Sequence, residues 1–145
     1  MGSPTRYFDI FGLKPSFSLD KHDLKERYFE ISKRAHPDKP GQPLLEGVSI
    51  EEINKAYDVL RNDLTRARYL SNVKKFDVDK QFLMGILDYE EEISSATSDE
   101  EIKNIRDDLQ KKIDHCKRHI SGESLAKWGY YERLMKMLNK KKENK

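Results

Sequence analysis

All five prolines lie within the first 43 residues, at positions 4, 15, 37, 40 and 43, and residues 44–145 contain none. Proline lacks a backbone N–H and clashes with the preceding turn, costing a helix interior about 3 kcal/mol. The long proline-free stretch is therefore open to helix throughout. Lys, Glu and Leu are abundant in it, whereas Val, Ile and Thr together number only 17 in the whole chain, which favours helix over strand. The expected fold class is all-α. A short polar connection from Lys74 to Asp77 divides the chain into two domains, residues 5–73 and 78–140.

A chain of 145 residues can bury a core without staples, and Leu, Ile, Val and Phe supply 34 side chains for one. Charged residues reach 37%, against ~25% in ordinary soluble domains. No apolar run approaches the ~18 residues of a membrane span. With 28 basic and 26 acidic residues the net charge is only +2, so electrostatic partners must be read from local patches. The single Cys116 excludes an intrachain disulfide and an all-thiolate metal site. No secretory apolar segment opens the chain, and Arg6 fails the myristoylation pattern.

Local signals place the helices. Tyr7 to Gly12 reads as a short helix closed by glycine. Asp20 caps a second, whose core stripe is Leu24, Tyr28, Ile31 and Ala35. Pro37 stops that helix near Ala35, and Lys39 to Val48 is a loop. Ser49-Ile50-Glu51-Glu52 is a capping box opening a helix with Ile53, Ala56, Tyr57 and Leu60 on one face. Leu64 to about Val73 continues helically. Asp79 caps a segment running to about Ser95. Ser98-Asp99-Glu100-Glu101 is another capping box, before the core face Ile102, Ile105, Leu109, Ile113 and Cys116. Gly122 breaks, Ser124 caps, and Leu125, Trp128, Leu134 and Leu138 line the last helix. Short loops imply an antiparallel three-helix bundle, with the lysine-rich end, Lys140 to Lys145, as a frayed tail.

The sharpest motif is His36-Pro37-Asp38. Proline stiffens the exit of a helix carrying Arg27, Lys33 and Arg34, so the turn is presented at low entropic cost. Arg27 and Arg34, seven residues apart, share a face. Together with Tyr7-Phe8-Asp9, Gly12-Leu13, Leu24, Tyr28, Ile53-Asn54, Ala56-Tyr57, Leu60, Arg66 and Tyr69, the turn resembles a J-domain, the module of DnaJ-type co-chaperones. That resemblance implies an antiparallel helical hairpin with short flanking helices. It also implies that His36, Pro37, Asp38, Arg27, Lys33 and Arg34 dock on a chaperone of the heat shock protein 70 family (DnaK/HscA type) and stimulate its ATPase.

In the segment from Asp79, Phe82, Ile86, Tyr89 and Ile93 form one core stripe. Leu83, Met84 and Leu87 form a second apolar strip beside it, flanked by Asp88 and Glu91. A wide core face and a partner patch fit this surplus equally well. Phe82-Leu83-Met84, Ile86-Leu87-Asp88 and Glu91 directly after a J-domain, with Leu64, Arg66, Tyr69 and Leu70, resemble the HscB/Jac type of co-chaperone in iron–sulfur cluster biogenesis. The resemblance implies that Leu83, Met84, Leu87, Asp88, Glu91 and Tyr130 bind the cluster scaffold protein (IscU/Isu type). Tyr131, one position on, is an alternative to Tyr130. It further implies no enzymatic activity, no cofactor, and no nucleic-acid or membrane partner. The compartment would be a mitochondrial or mitochondrion-related matrix, since Asp79 to Leu83 is closest to eukaryotic members, with bacterial cytoplasm as the alternative. A general J-domain co-chaperone whose bundle serves dimerisation or another client is the rival function. Gly85 in mid-helix, Gly129 and the absence of an N-terminal Cys-x-x-Cys pair depart from the family pattern.

His115 and His119 stand at i, i+4 around Cys116, but no further ligand has a reason to converge there. A solvated face over a buried Cys116 is the preferred reading, and no metal is expected.

Overall fold

The computed structural model describes residues 5–35, 47–71 and 76–143. Among these residues there are seven helices and no strand: α1 (Arg6–Ile10), α2 (Lys21–Ala35), α3 (Ile50–Arg61), α4 (Asp63–Ser71), α5 (Lys80–Ser95), α6 (Asp99–Arg118) and α7 (Gly122–Glu143). The chain divides into two compact units, Met1–Asn72 and Val73–Lys145.

In the first unit, α2 and α3 form the antiparallel hairpin. Tyr28 stacks on Tyr57 with centroids 4.1 Å apart, and its hydroxyl donates to Asn54 Oδ1 at 2.7 Å. Asp20 Oδ1 accepts from the N–H groups of His22 and Asp23, capping α2 as expected. Phe8, Phe11, Leu24, Ile53, Ala56 and Leu60 fill the core, with Tyr28, Ile31 and Ala35 packed against it. Each such large side chain contributes roughly 1.5–3 kcal/mol through burial. Gly12 closes α1 at φ +64, the left-handed region that favours glycine.

Three details differ from the sequence reading. Ser49 accepts from the Glu52 N–H at 3.1 Å, but the Glu52 carboxylate does not turn back to complete a capping box. It pairs bidentately with Arg6, at 2.6 and 2.8 Å, tying α1 to α3. Asn62 is extended (φ −101, ψ 130) and ends α3, and its Oδ1 accepts from the N–H groups of Leu64 and Thr65. The segment from Leu64 is thus a separate helix, started by an Asx cap. Arg66, which entered the sequence reading only as a motif position, is 3% exposed and is the one buried charged side chain among the described residues. Its guanidinium donates to Phe17 O (2.9 Å), Leu60 O (2.6 Å) and Asp63 Oδ1 (2.7 Å).

The second unit is a three-helix bundle. Asp79 caps α5, accepting from the Phe82 N–H at 2.7 Å, and Ser98 caps α6 through the Glu101 N–H at 3.1 Å. The Glu101 carboxylate takes the Ser98 hydroxyl at 3.0 Å. All five residues of the expected α6 face are buried, as are Leu125, Trp128, Leu134 and Leu138 of α7. The cap of α7 is Ser121 rather than Ser124, because the Ser121 hydroxyl sits three residues ahead of the Ser124 N–H it accepts at 3.1 Å. Gly122 therefore opens the helix instead of breaking it. The basic end is not a frayed tail up to Glu143. Lys141 Nζ donates to the carbonyls of Ile93 and Ser94 at 2.5 and 2.6 Å, supplying donors that the last turn of α5 lacks within itself. Phe82 meets Tyr130 and Tyr131, and Ile93 meets Lys141, so α5 and α7 run parallel with α6 returning between them.

Arg66→Met should destabilise the first unit by about 2–4 kcal/mol, because two carbonyls lose their donor; urea denaturation reads this directly. The hydrogen bond from Arg6 holds the Glu52 carboxyl below its usual range. A depressed folded pKa stabilises above the unfolded value, near 4.3, and the gain is lost as pH falls through the folded value. Thermal melts of wild type and Glu52→Gln should therefore differ at neutral pH and converge in acid.

Candidate functional site

The α5 surface follows from helical geometry. Ile86 and Ile93 point inward at 6% and 2% exposure, while Leu83, Met84 and Leu87 stand 38%, 57% and 58% exposed. The second apolar strip is therefore not a wide core face. Asp88 and Glu91 are exposed on the same helix. Across from it, Phe82 makes edge contacts with both Tyr130 and Tyr131 at 5.7 Å. Tyr131 belongs to the core, 8% exposed, and burial raises its hydroxyl pKa. Tyr130 is half-buried with the Arg133 guanidinium 5.0 Å over its ring, so it is the more accessible of the two. A Cβ at Gly85 would meet open space; nothing in the packing requires a glycine there.

The first unit presents its cations on α2. Lys33 and Arg34 are exposed in its last turn. Arg27 is less free: Nε contacts both Asp23 carboxylate oxygens, and Nη1 donates to Phe11 O at 3.0 Å and Gly12 O at 3.3 Å. It thereby closes the turn after α1, a role legible in advance only as an i, i+4 Asp–Arg pair. His36, Pro37 and Asp38 lie outside the described residues. His115 and His119 bring their rings to 4.6 Å, and Cys116 is buried, its thiol pKa raised by burial. Among the described residues no three His, Cys, Asp or Glu side chains are grouped to hold a metal ion, and no helix is long and apolar enough to cross a membrane.

Two family models match in succession: the DnaJ domain over residues 6–69 and the HSCB C-terminal oligomerisation domain over residues 78–140. A co-chaperone protein HscB homolog of Acinetobacter baumannii is 30% identical over 121 residues, covering 79% of this chain and 70% of the relative. The chain belongs to the HscB co-chaperone family. Its fold agrees. The crystal structure of human co-chaperone HscB has a TM-score of 0.76 at 24% identity, over 97% of this chain and 84% of that one. HscB from Vibrio cholerae also scores 0.76, at 23% identity, over 95% and 98%. The exposed α5 strip is thus carried on the C-terminal domain of an HscB-family chain, and the α2 cations on its J-domain.

Proposed function

We propose that this HscB-family protein is a two-ended adaptor in iron–sulfur cluster biogenesis. The C-terminal bundle (residues 78–140) holds the cluster scaffold protein through Leu83, Met84, Leu87, Asp88, Glu91 and Tyr130. The J-domain (residues 5–73) engages a heat shock protein 70 family chaperone through the His36-Pro37-Asp38 turn and the neighbouring cations of α2. Hydrolysis of ATP by that chaperone tightens its grip on the scaffold, and the cluster passes to acceptors. The adaptor supplies positioning and no chemistry of its own.

The observation that carries this reading is the exposure of three apolar side chains on two successive turns of α5, where a helix of a small bundle needs only one buried stripe. Water-exposed Leu and Met at the centre with carboxylates at the edge have the apolar centre and polar rim of a protein-docking patch. The partner they fit has an apolar centre flanked by basic groups. We place the activity in a mitochondrion-related matrix on the eukaryotic likeness of Asp79 to Leu83; the bacterial source of the curated relative named above favours bacterial cytoplasm as the alternative. A second reading, self-association of the bundle, is favoured by the description of the matched C-terminal model.

Leu83→Ala/Leu87→Ala should weaken scaffold binding at least about tenfold, or roughly 1.4 kcal/mol, with the helical circular dichroism unchanged. Unchanged affinity together with a fall in sedimentation mass would favour self-association instead. His36→Gln should abolish stimulation of chaperone ATP turnover while the chain stays folded; an active variant would remove the turn from the mechanism.

A further inference from the structure

Two of the α2 cations, Arg27 and Lys33, are already engaged within the helix. Asp23 holds Arg27, with Nε 3.2 and 3.1 Å from its two carboxylate oxygens, and Glu30 holds Lys33 at 3.8 Å. Of Arg27, Lys33 and Arg34, only Arg34 has no ion pair among the described residues. The same face carries an open groove of about 320 Å³, with Phe11 and Ile31 among its walls and the carboxylates of Asp23, Glu26 and Glu30 set among the guanidiniums of Arg27 and Arg34. A surface built only to attract a negatively charged partner would not carry three carboxylates among its cations, since each opposes the partner; Asp23 and Glu30 also satisfy a cation in its place, while Glu26 pairs with His22.

We propose that Asp23 and Glu30 are built-in competitors that set how tightly the α2 face docks. A partner surface bearing carboxylates must displace Asp23 from Arg27 and Glu30 from Lys33 before it can use those charges. The Lys33–Glu30 pair is exposed and the Arg27–Asp23 pair half-exposed, so both remain within reach of solvent and salt, which makes displacement easy and salt-sensitive. Arg27 keeps its bonds to the Phe11 and Gly12 carbonyls throughout, so the exchange needs no movement of the turn. The carboxylates recapture the cations as the partner leaves, which suits a co-chaperone that must release its chaperone in every cycle. This inference rests on the reading that α2 meets the chaperone.

The test measures binding of the full chain to an ATP-bound DnaK-type chaperone at low and high salt. Asp23→Asn and Glu30→Gln should each tighten binding about 1.4- to 5-fold at low salt, and the gain should collapse at high salt. Glu30→Gln serves where loss of Asp23 from the first turn of α2 lowers the melting temperature. Asp58→Asn makes the same charge change on α3, where Asp58 pairs with Arg61, and should leave affinity unchanged. Unaltered or weakened binding by folded Asp23→Asn and Glu30→Gln overturns the proposal, as does an equal gain from Asp58→Asn, which would reduce it to bulk charge. Arg34→Ala separates the two levels. If it weakens binding while the carboxylate variants are inert, the face stands and the competitors fall. If it has no effect, α2 is not the docking face and both fall.

Discussion

A buried guanidinium organises the J-domain. Isolated in a low-dielectric interior, the charge of Arg66 would cost several kcal/mol, so the chain must deliver acceptors to it. They come from the loop before α2 (Phe17), the last turn of α3 (Leu60) and the first turn of α4 (Asp63). Those places meet only because Asn62 leaves the helical region and restarts the chain as α4. The same helix brings Tyr69 against Tyr7, with rings stacked at 4.6 Å and the Tyr7 N–H donating to the Tyr69 hydroxyl at 2.9 Å. With Arg6 clamped on Glu52, α1 is fastened from two sides, and the Arg27 bonds to its closing turn fix α2 beside it.

The C-terminal bundle depends on register. A constant offset of 48 residues joins Phe82 to Tyr130 and Ile93 to Lys141. It seats the Ile86–Ile93 stripe on the core and satisfies the end of α5 with a lysine from α7. Tyr89 donates its hydroxyl to Asp108, and burial first and that bond second push its pKa up, holding α5 to α6. With both flanks of α5 occupied, Leu83, Met84 and Leu87 are left on its exposed side. Their exposure follows from the completeness of the core beneath them.

Much of the fold was legible because its signals are local. Asp20, Asp79 and Ser98 act on donors three residues away, within reach of sequence reasoning. The α6 face was read in full because a 3.6-residue repeat of Ile and Leu has one sensible orientation. The misses are tertiary. Glu52 sits correctly for a capping box, yet a bidentate guanidinium outcompetes a backbone N–H for its carboxylate. Lys141 looks like solvated tail until α5 ends beside it. Ser121 and Ser124 are both credible caps, and the choice turned on which hydroxyl the incoming chain places under the first free N–H.

On the exposed faces of α2 and α5 the division is the same. Residue order alone determined that two apolar strips lie on α5 and that cations gather at the end of α2, because helical spacing needs no neighbours. Which of the two strips is buried, which of Tyr130 and Tyr131 belongs to the core, and whether Arg27 is free or clamped were decided by the tertiary structure. Each depends on what stands across the groove: an apolar side chain is core only if another helix covers it, and a charge is available only if no nearer carboxylate already holds it.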